Sequence, residues 1–306
     1  MRIVVALGGN ALLRRGQPLE AALQRENVRA AARALAPIAR DHEIVITHGN
    51  GPQVGLLALQ SEAYRVVAPS PLDVLGAESE GMIGYLIEED LRNALPGREV
   101  ATLLTQVLVD ATDPAFANPT KPIGPVYTEA EARQLASVRG WTIGPDGSHW
   151  RRIVPSPEPR RILGMRAIRL LVAAGVTVIC AGGGGIPVVR DQVGALRGVE
   201  AVIDKDLSAA LLARGLKADA LVSLTDVDAV YDDWGTPVAT PIRRASVGRL
   251  RGISFAAGSM APKVESACRF VEGGGHFAAI GALGDIARIL RGDAGTRVTA
   301  DGDGDV

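Results

Sequence analysis

Along the chain, short apolar runs alternate with longer stretches in which apolar residues return every three or four positions. The runs are IVVAL (3–7), EIVITH (43–48), VATLLTQVLV (100–109), VTVIC (176–180), ALVSL (220–224) and FAAIG (277–281). Helical spacing occupies roughly 19–36, 53–66, 72–94, 160–174, 206–214 and 260–272. Uninterrupted apolar strands are buried on both faces, and strands separated by helices assemble into a mainly parallel sheet. The expected fold is therefore α/β, a three-layer αβα open sandwich.

Residues 111–160 break this rhythm. They hold eight of the 18 prolines together with Trp141 and Trp150. A segment this long and rich in turns is expected to be an inserted, protruding subdomain, because structureless loops of such length are uncommon inside compact domains. The last residues, TADGDGDV, read as a disordered acidic tail. Leu170 to Val189 is 20 residues without a charge, long enough to span a bilayer, but Gly182–Gly185 and Pro187 interrupt it. A helix end, a buried strand and a glycine turn are expected there instead.

At 306 residues the chain is long enough for one large domain or two lobes, and its net charge of -1 leaves no basic excess. Neither nucleic acid nor a membrane surface is expected as a partner, since both need clustered positive charge. Cys180 and Cys268 are far apart, and His42, His48, His149 and His276 show no metal-ligand spacing. The cysteines read as reduced and buried, in a cytoplasmic protein.

Chemistry gathers in the glycines. ALGGNALL (6–13), THGNGPQVG (47–55) and CAGGGGIPVV (180–189) each follow a strand, and FAAGSMAPK (255–263) precedes a helix. Ligands bind at the strand tips of open α/β sheets, and glycine lets backbone N–H groups approach an anion. Three such loops point to a phosphate-bearing ligand. No G-x-x-x-x-G-K-[ST] or H-R-D motif occurs. Gly49-x-Gly51-x-x-x-Gly55 imitates a dinucleotide fingerprint, so a dinucleotide-dependent oxidoreductase is a rival reading.

The charge pattern narrows this further. Positive charge is carried by 29 arginines and only four lysines, of which Lys121 lies in NPTKPIGP, Lys205 in IDKD and Lys263 in GSMAPK. Lysine is a compact point charge on a flexible stem and arginine a planar fork, so the two are not interchangeable where a charge must follow a phosphoryl group. Phosphoryl transfer is catalysed mainly by positioning and electrostatic stabilisation, which suits such lysines. Asp206, at the head of DLSAALLARG, is expected to hold them in place, and Asp204 is expected to cap that helix.

Taken together, VVALGGNALL, HGNGPQVG, NPTKPIGP, VPSP, GGGGIPVV, GVEAVIDKD, LTDVDAVY and GSMAPKVE resemble the carbamate kinases of the amino acid kinase family, in order from residue 4 to 265. The resemblance implies an αβα homodimer that interconverts MgATP and carbamate with ADP and carbamoyl phosphate. Its direction is read as ATP synthesis in arginine or purine catabolism. On that basis Lys121, Lys205, Asp206 and Lys263 are catalytic, with Lys121 reaching in from the insert. Gly8, Gly9, Asn10, Gly49, Asn50, Gly51, Gly183 and Gly184 line the substrate and phosphate site. Thr225, Asp226, Tyr231, Gly258 and Met260 lie on the nucleotide side. Mg2+ arrives with the nucleotide rather than on protein ligands. The implied organisation is an N-terminal lobe over 1–216, a nucleotide lobe over 217–298 and a tail over 299–306. Carbamate is already an anionic nucleophile, so no general base is required and His48 reads as structural. Other acid or phosphate kinases of the same fold remain the alternative within the family, although the first glycine loop lacks the lysine that many of them carry.

Overall fold

The computed structural model describes residues 1–13, 17–64, 66–255 and 259–301. Its centre is an eight-stranded sheet in the order Arg244–Ser246, Thr296–Thr299, Phe277–Ala282, Ala220–Thr225, Arg2–Leu7, Glu43–His48, Thr177–Cys180 and Val100–Leu103. Neighbours pair in parallel except Phe277–Ala282 with Thr296–Thr299, so the two strands at that edge run against the rest.

Alternation along each strand builds the layers. In Arg2–Leu7, Ile3, Val5 and Leu7 belong to one hydrophobic cluster and Val4 and Ala6 to the other, all fully buried. Successive side chains point to opposite faces, so a strand apolar at every position needs cover on both sides. Helices Ala21–Asp41, Leu72–Ala94 and Ile286–Arg291 cover one face. Helices Met165–Ala173, Lys205–Leu216 and Met260–Glu272 cover the other. This is the expected sandwich, and burying each large aliphatic side chain contributes about 1.5–3 kcal/mol.

Three details differ from the expectation. VATLLTQVLV is two strands, Val100–Leu103 in the central sheet and Gln106–Leu108 in a second, four-stranded sheet with Leu196–Gly198, Ile186–Arg190 and Arg161–Ile162. The break falls at Leu104 and Thr105, where the Thr105 N–H leaves the ladder and donates to Glu80. The first helix continues to Asp41 with Pro37 inside it. Thr299 belongs to a strand rather than to a tail, and 302–306 lie outside the described residues. Leu170 to Val189 does divide into a helix end, the strand Thr177–Cys180 and a glycine turn at Gly182–Gly184. Among the described residues no helix is long and apolar enough to cross a membrane.

Within the proline-rich segment, Lys121–Tyr127, His149–Val154 and Ile143–Asp146 form a three-stranded antiparallel sheet with helix Glu129–Arg139. This unit packs on helix Gly51–Ala63 through Ile123, Val154, Val54 and Ala58. The approach is close: a Cβ on Gly55 would stand 1.9 Å from the Gly124 Cα. The third glycine of the dinucleotide-like pattern therefore serves backbone-to-backbone packing of the insert. Glu62, at the far end of the same helix, holds Arg139, Arg152 at 3.3 Å and the Trp141 indole N–H at 3.2 Å.

Candidate active site

The glycine loops converge at the C-terminal tips of the parallel strands. Gly8 donates its N–H to the Leu224 carbonyl at 2.8 Å, and a Cβ there would meet that oxygen at 2.7 Å. Only glycine permits this approach. A Cβ on Gly49 would lie 3.0 Å from Gly9 N and 3.6 Å from Lys205 Cδ, so the first two loops and Lys205 meet at this point. The Cβ position of Gly9 faces open space. Asn10 lies within the short helix Gly9–Leu12.

The third loop is held from four sides. Ala181 and Gly183 take left-handed backbone conformations at φ 52° and 65°. Thr47 Oγ1 donates to Ala181 O at 2.7 Å, and Ala181 N donates to Thr105 Oγ1 at 2.9 Å. Gly182 N donates to Glu80 Oε1 at 2.8 Å, and Ser208 Oγ donates to Gly184 O at 2.7 Å. A Cβ on Gly183 would strike the Asn50 amide, and one on Gly184 the Ile203 carbonyl. The Asn50 side chain itself donates to Ser79 Oγ at 2.8 Å, so it braces the loops from below.

The charged centre sits at the start of helix Lys205–Leu216. Lys205 Nζ donates to Asp206 Oδ1 at 2.6 Å and Lys263 Nζ to Asp206 Oδ2 at 3.1 Å, so two ammonium groups share one carboxylate. Burial alone would raise the Asp206 carboxyl, but Lys205 and Lys263 outweigh it and hold the group well below the usual range. Burial pulls the Lys205 ammonium below the ordinary lysine value, and Lys263 adds to the fall against the attraction of Asp206. For Lys263 the attraction of Asp206, with Asp204 and Asp226 adding to it, overcomes burial and leaves its value raised. Desolvated charges persist when paired in this way, and removing one partner strands the other.

Lys121 comes to the same place from the insert, donating to Asp204 Oδ2 at 2.5 Å. The other oxygen of Asp204 accepts from Asp206 N at 2.8 Å and Leu207 N at 3.4 Å, which is the expected helix cap. A Cβ on Gly51 would approach the Pro122 carbonyl at 4.0 Å, placing the insert beside the second loop. All four expected catalytic side chains are thus assembled from sequence positions up to 142 residues apart.

On the nucleotide side, Thr225 ends a central strand and donates from Oγ1 to Asp226 at 3.1 Å. Asp226 acts electrostatically on Lys263. Tyr231 donates to Asp228 at 2.6 Å and stacks edge-on against Trp234 at 5.1 Å. Met260 is the first residue of the helix that carries Lys263, while Gly258 lies outside the described residues.

Two further residues matter. His48 is fully buried with Nδ1 3.1 Å from the Gly49 carbonyl, and burial lowers its pKa to about 4 against that contact. It is neutral near pH 7 and too weak a base to carry protons there, as expected of a structural histidine. Glu80, absent from the expected site, is a buried carboxyl that burial pushes up to about 8 despite its bonds from Thr105 and Gly182. The signal for it was an acid on the buried face of a helix that otherwise places Leu75, Ile83 and Ile87 there. Cys180 and Cys268 are free and buried; burial raises both thiols, Cys268 to about 11. Among the described residues no group of three His, Cys, Asp or Glu side chains is placed to hold a metal.

Comparison with known proteins decides the family, since the amino acid kinase family model matches residues 1–281. The chain belongs to the amino acid kinase family, in its carbamate kinase branch. A carbamate kinase of Rhizobium meliloti (strain 1021) is 55% identical, covering 98% of this chain and 94% of that protein. Among solved structures, carbamate kinase from Giardia lamblia bound to citric acid superposes with a TM-score of 0.91 at 39% identity, covering 97% of this chain and 98% of that one. The same enzyme bound to AMP-PNP gives 0.87 at 39% identity and the same coverage. This membership sets aside the oxidoreductase reading.

Proposed function

We infer that the protein transfers a phosphoryl group reversibly between ATP and carbamate, forming ADP and carbamoyl phosphate. The observation that carries this is the pair of buried ammonium groups on Asp206, set where the glycine loops open. In the forward direction a carbamate oxygen attacks the γ-phosphorus as the bond to the β-bridging oxygen breaks, and ADP leaves with that electron pair. No proton has to move, which agrees with a site whose nearest histidine is neutral. Lys205 and Lys263 face the charge that spreads over the transferred oxygens, and Asp206 keeps the two ammonium groups paired until the phosphoryl arrives. One cation about 4 Å from a phosphate oxygen contributes on the order of 4 kcal/mol at an effective dielectric near 20.

In this reading Lys121 meets the carbamate side of the phosphoryl group. Backbone N–H groups at Gly9, Gly51 and Gly183 cradle its oxygens, while Gly8, Gly49 and Gly184, whose N–H groups bond to Leu224, Leu7 and Ala181, shape the loops around it. The nucleotide lies across Thr225, Asp226, Tyr231 and Met260, a placement supported by Asp226 acting on Lys263. Mg2+ belongs to the nucleotide substrate, where it neutralises the β- and γ-oxygens. We further read the enzyme as a cytoplasmic homodimer that works towards ATP synthesis.

The test is formation of ATP by purified protein from carbamoyl phosphate and ADP, with and without magnesium. Turnover that collapses when magnesium is chelated is expected. Absence of turnover, beside an active carbamate kinase control, removes the reading.

A further inference from the structure

We propose that Asp204 positions Lys121 over the phosphoryl site, docking the insert on the lysine helix through a single carboxylate. The proposal rests on the phosphoryl-transfer reading and adds to it a residue which that reading leaves as a helix cap.

The two oxygens of Asp204 do different things. Oδ1 takes the Asp206 and Leu207 N–H groups, and Oδ2 takes the Lys121 ammonium. A cap needs an acceptor but no charge, and Asn or Ser serves as well as Asp. The negative charge is therefore unexplained by the cap; Lys205 and Lys263 feel it at a distance, and Lys121 is the cation that bonds to it directly.

The partners belong to separate units, 83 residues apart in sequence. Lys121 opens the first strand of the insert, and Asp204 immediately precedes Lys205. Without a counter-charge, a third ammonium brought to Lys205 and Lys263 would be driven outward. With Asp204 the formal charges of Lys121, Lys205, Lys263, Asp204 and Asp206 sum to +1, leaving the site attractive to a phosphoryl anion without scattering its own lysines. An ammonium has three donors. One bond to Asp204 leaves two for substrate oxygens, so the tie holds while the phosphoryl group binds. Pinning a lysine chain before the substrate arrives also removes rotamer entropy from the cost of binding.

A double-mutant cycle tests this. ADP phosphorylation by carbamoyl phosphate is measured for wild type, Asp204→Asn, Asp204→Ser, Lys121→Met and Asp204→Asn/Lys121→Met, together with thermal unfolding of each. Close charge pairs couple strongly, so losing one partner is felt through the other. Asp204→Asn is therefore expected to lose about tenfold or more in kcat/KM for carbamoyl phosphate, with KM for ADP unmoved and Tm near wild type. Asp204→Ser, which also keeps the cap, should follow Asp204→Asn in its kinetics. In the Lys121→Met background, Asp204→Asn should change kcat/KM less than about threefold, the residue of non-additivity left once the shared partner is gone.

Equal losses in both backgrounds would mean that Asp204 acts independently of Lys121, and wild-type kinetics in Asp204→Ser would mean that its charge is not needed; either would overturn the proposal. An Asp204→Asn enzyme as fast as wild type, or faster, would overturn it too, the faster case by showing that Asp204 withholds Lys121. Inactive wild type would instead remove the phosphoryl-transfer reading itself.

Discussion

The two ends of the central sheet use positive charge in opposite ways. At the C-terminal tips of the parallel strands, Lys121, Lys205 and Lys263 bond to the carboxylates of Asp204 and Asp206. At the other end, Arg2, Arg40 and Arg98 donate to backbone carbonyls: Arg2 to Leu216 at 2.8 Å, Arg40 to Ala94 at 3.1 Å, and Arg98 to Ala39, Arg40 and Gly175. The topology explains the division. A helix that joins parallel strands runs back along the sheet, so its N-terminus falls at the site and its C-terminus at the opposite edge. Last-turn carbonyls lack intrahelical partners and carry partial negative charge, and a guanidinium with five fixed donors closes them. The N-terminal ends favour anions, and there the chain places lysines that can exchange one partner for another. Three of the four lysines thus gather at one end of the fold; the fourth, Lys217, follows the last turn of helix Lys205–Leu216 at the arginine end, where Arg2 also pairs with Glu43.

Replacing Lys205 breaks the comparison most sharply. Loss of one cation worth about 4 kcal/mol corresponds to a fall in kcat of about a thousandfold for Lys205→Ala. Lys205→Arg should fall nearly as far, because a planar fork does not fit between Asp206, Gly49 and Lys263. Retained turnover in Lys205→Arg, measured by ATP formation, would show that the site end accepts either cation.

Glu80 lies beneath the site, and its prediction concerns stability. Its folded pKa of about 8 lies above the ordinary 4.5. The folded protein therefore binds the extra proton between these values, and the contribution of Glu80 to stability, full below about 4.5, is lost as pH rises through about 8. Over this window the shift corresponds to several kcal/mol, at about 1.36 kcal/mol per unit. Glu80→Gln does not titrate. Compared by thermal unfolding at pH 5 and pH 9, wild type should lose ground to the variant at the higher pH. Parallel behaviour at both values would assign the titration elsewhere.

Smaller in effect is Gly55→Ala. Its methyl group would overlap the Gly124 backbone, and overpacking of this kind costs about 1–3 kcal/mol. Lowered Tm with reduced kcat/KM for carbamoyl phosphate is expected, because Lys121 rides on the displaced insert. Gly76→Ala, where the added methyl meets nothing within 4 Å, is the control and should behave as wild type. Least of all, Arg98→Lys gives up part of its carbonyl bonds, about 1 kcal/mol, and should lower Tm by a few degrees with kcat unchanged. A changed kcat there would mean that the far edge is not purely structural.

Much of this was legible in the chain. The apolar runs marked six central strands because a parallel strand buried on both faces is apolar at most positions, and the glycine loops and lysine contexts marked the site because their residue types are chemically hard to replace. Glu80 and the break at Thr105 were not legible. An acid 25 residues upstream turns Thr105 out of its strand, and no local pattern records that partnership. The small second sheet escaped for the same reason, since its strands are short and two of its three pairings join segments more than 50 residues apart, only Ile186–Arg190 with Leu196–Gly198 being local.

By itself the sequence determined the layered α/β fold and the residues able to handle a phosphoryl group, because periodicity and side-chain chemistry are local properties. Only the tertiary structure decided which oxygen of which aspartate each lysine holds. Asp206 joins Lys205 to Lys263, and Asp204 joins the helix start to Lys121, through contacts of about 3 Å or less between segments 57 and 83 residues apart. Distances of that kind exist only after the helices and the insert have packed, because nothing but packing brings such remote charges together and removes the water between them.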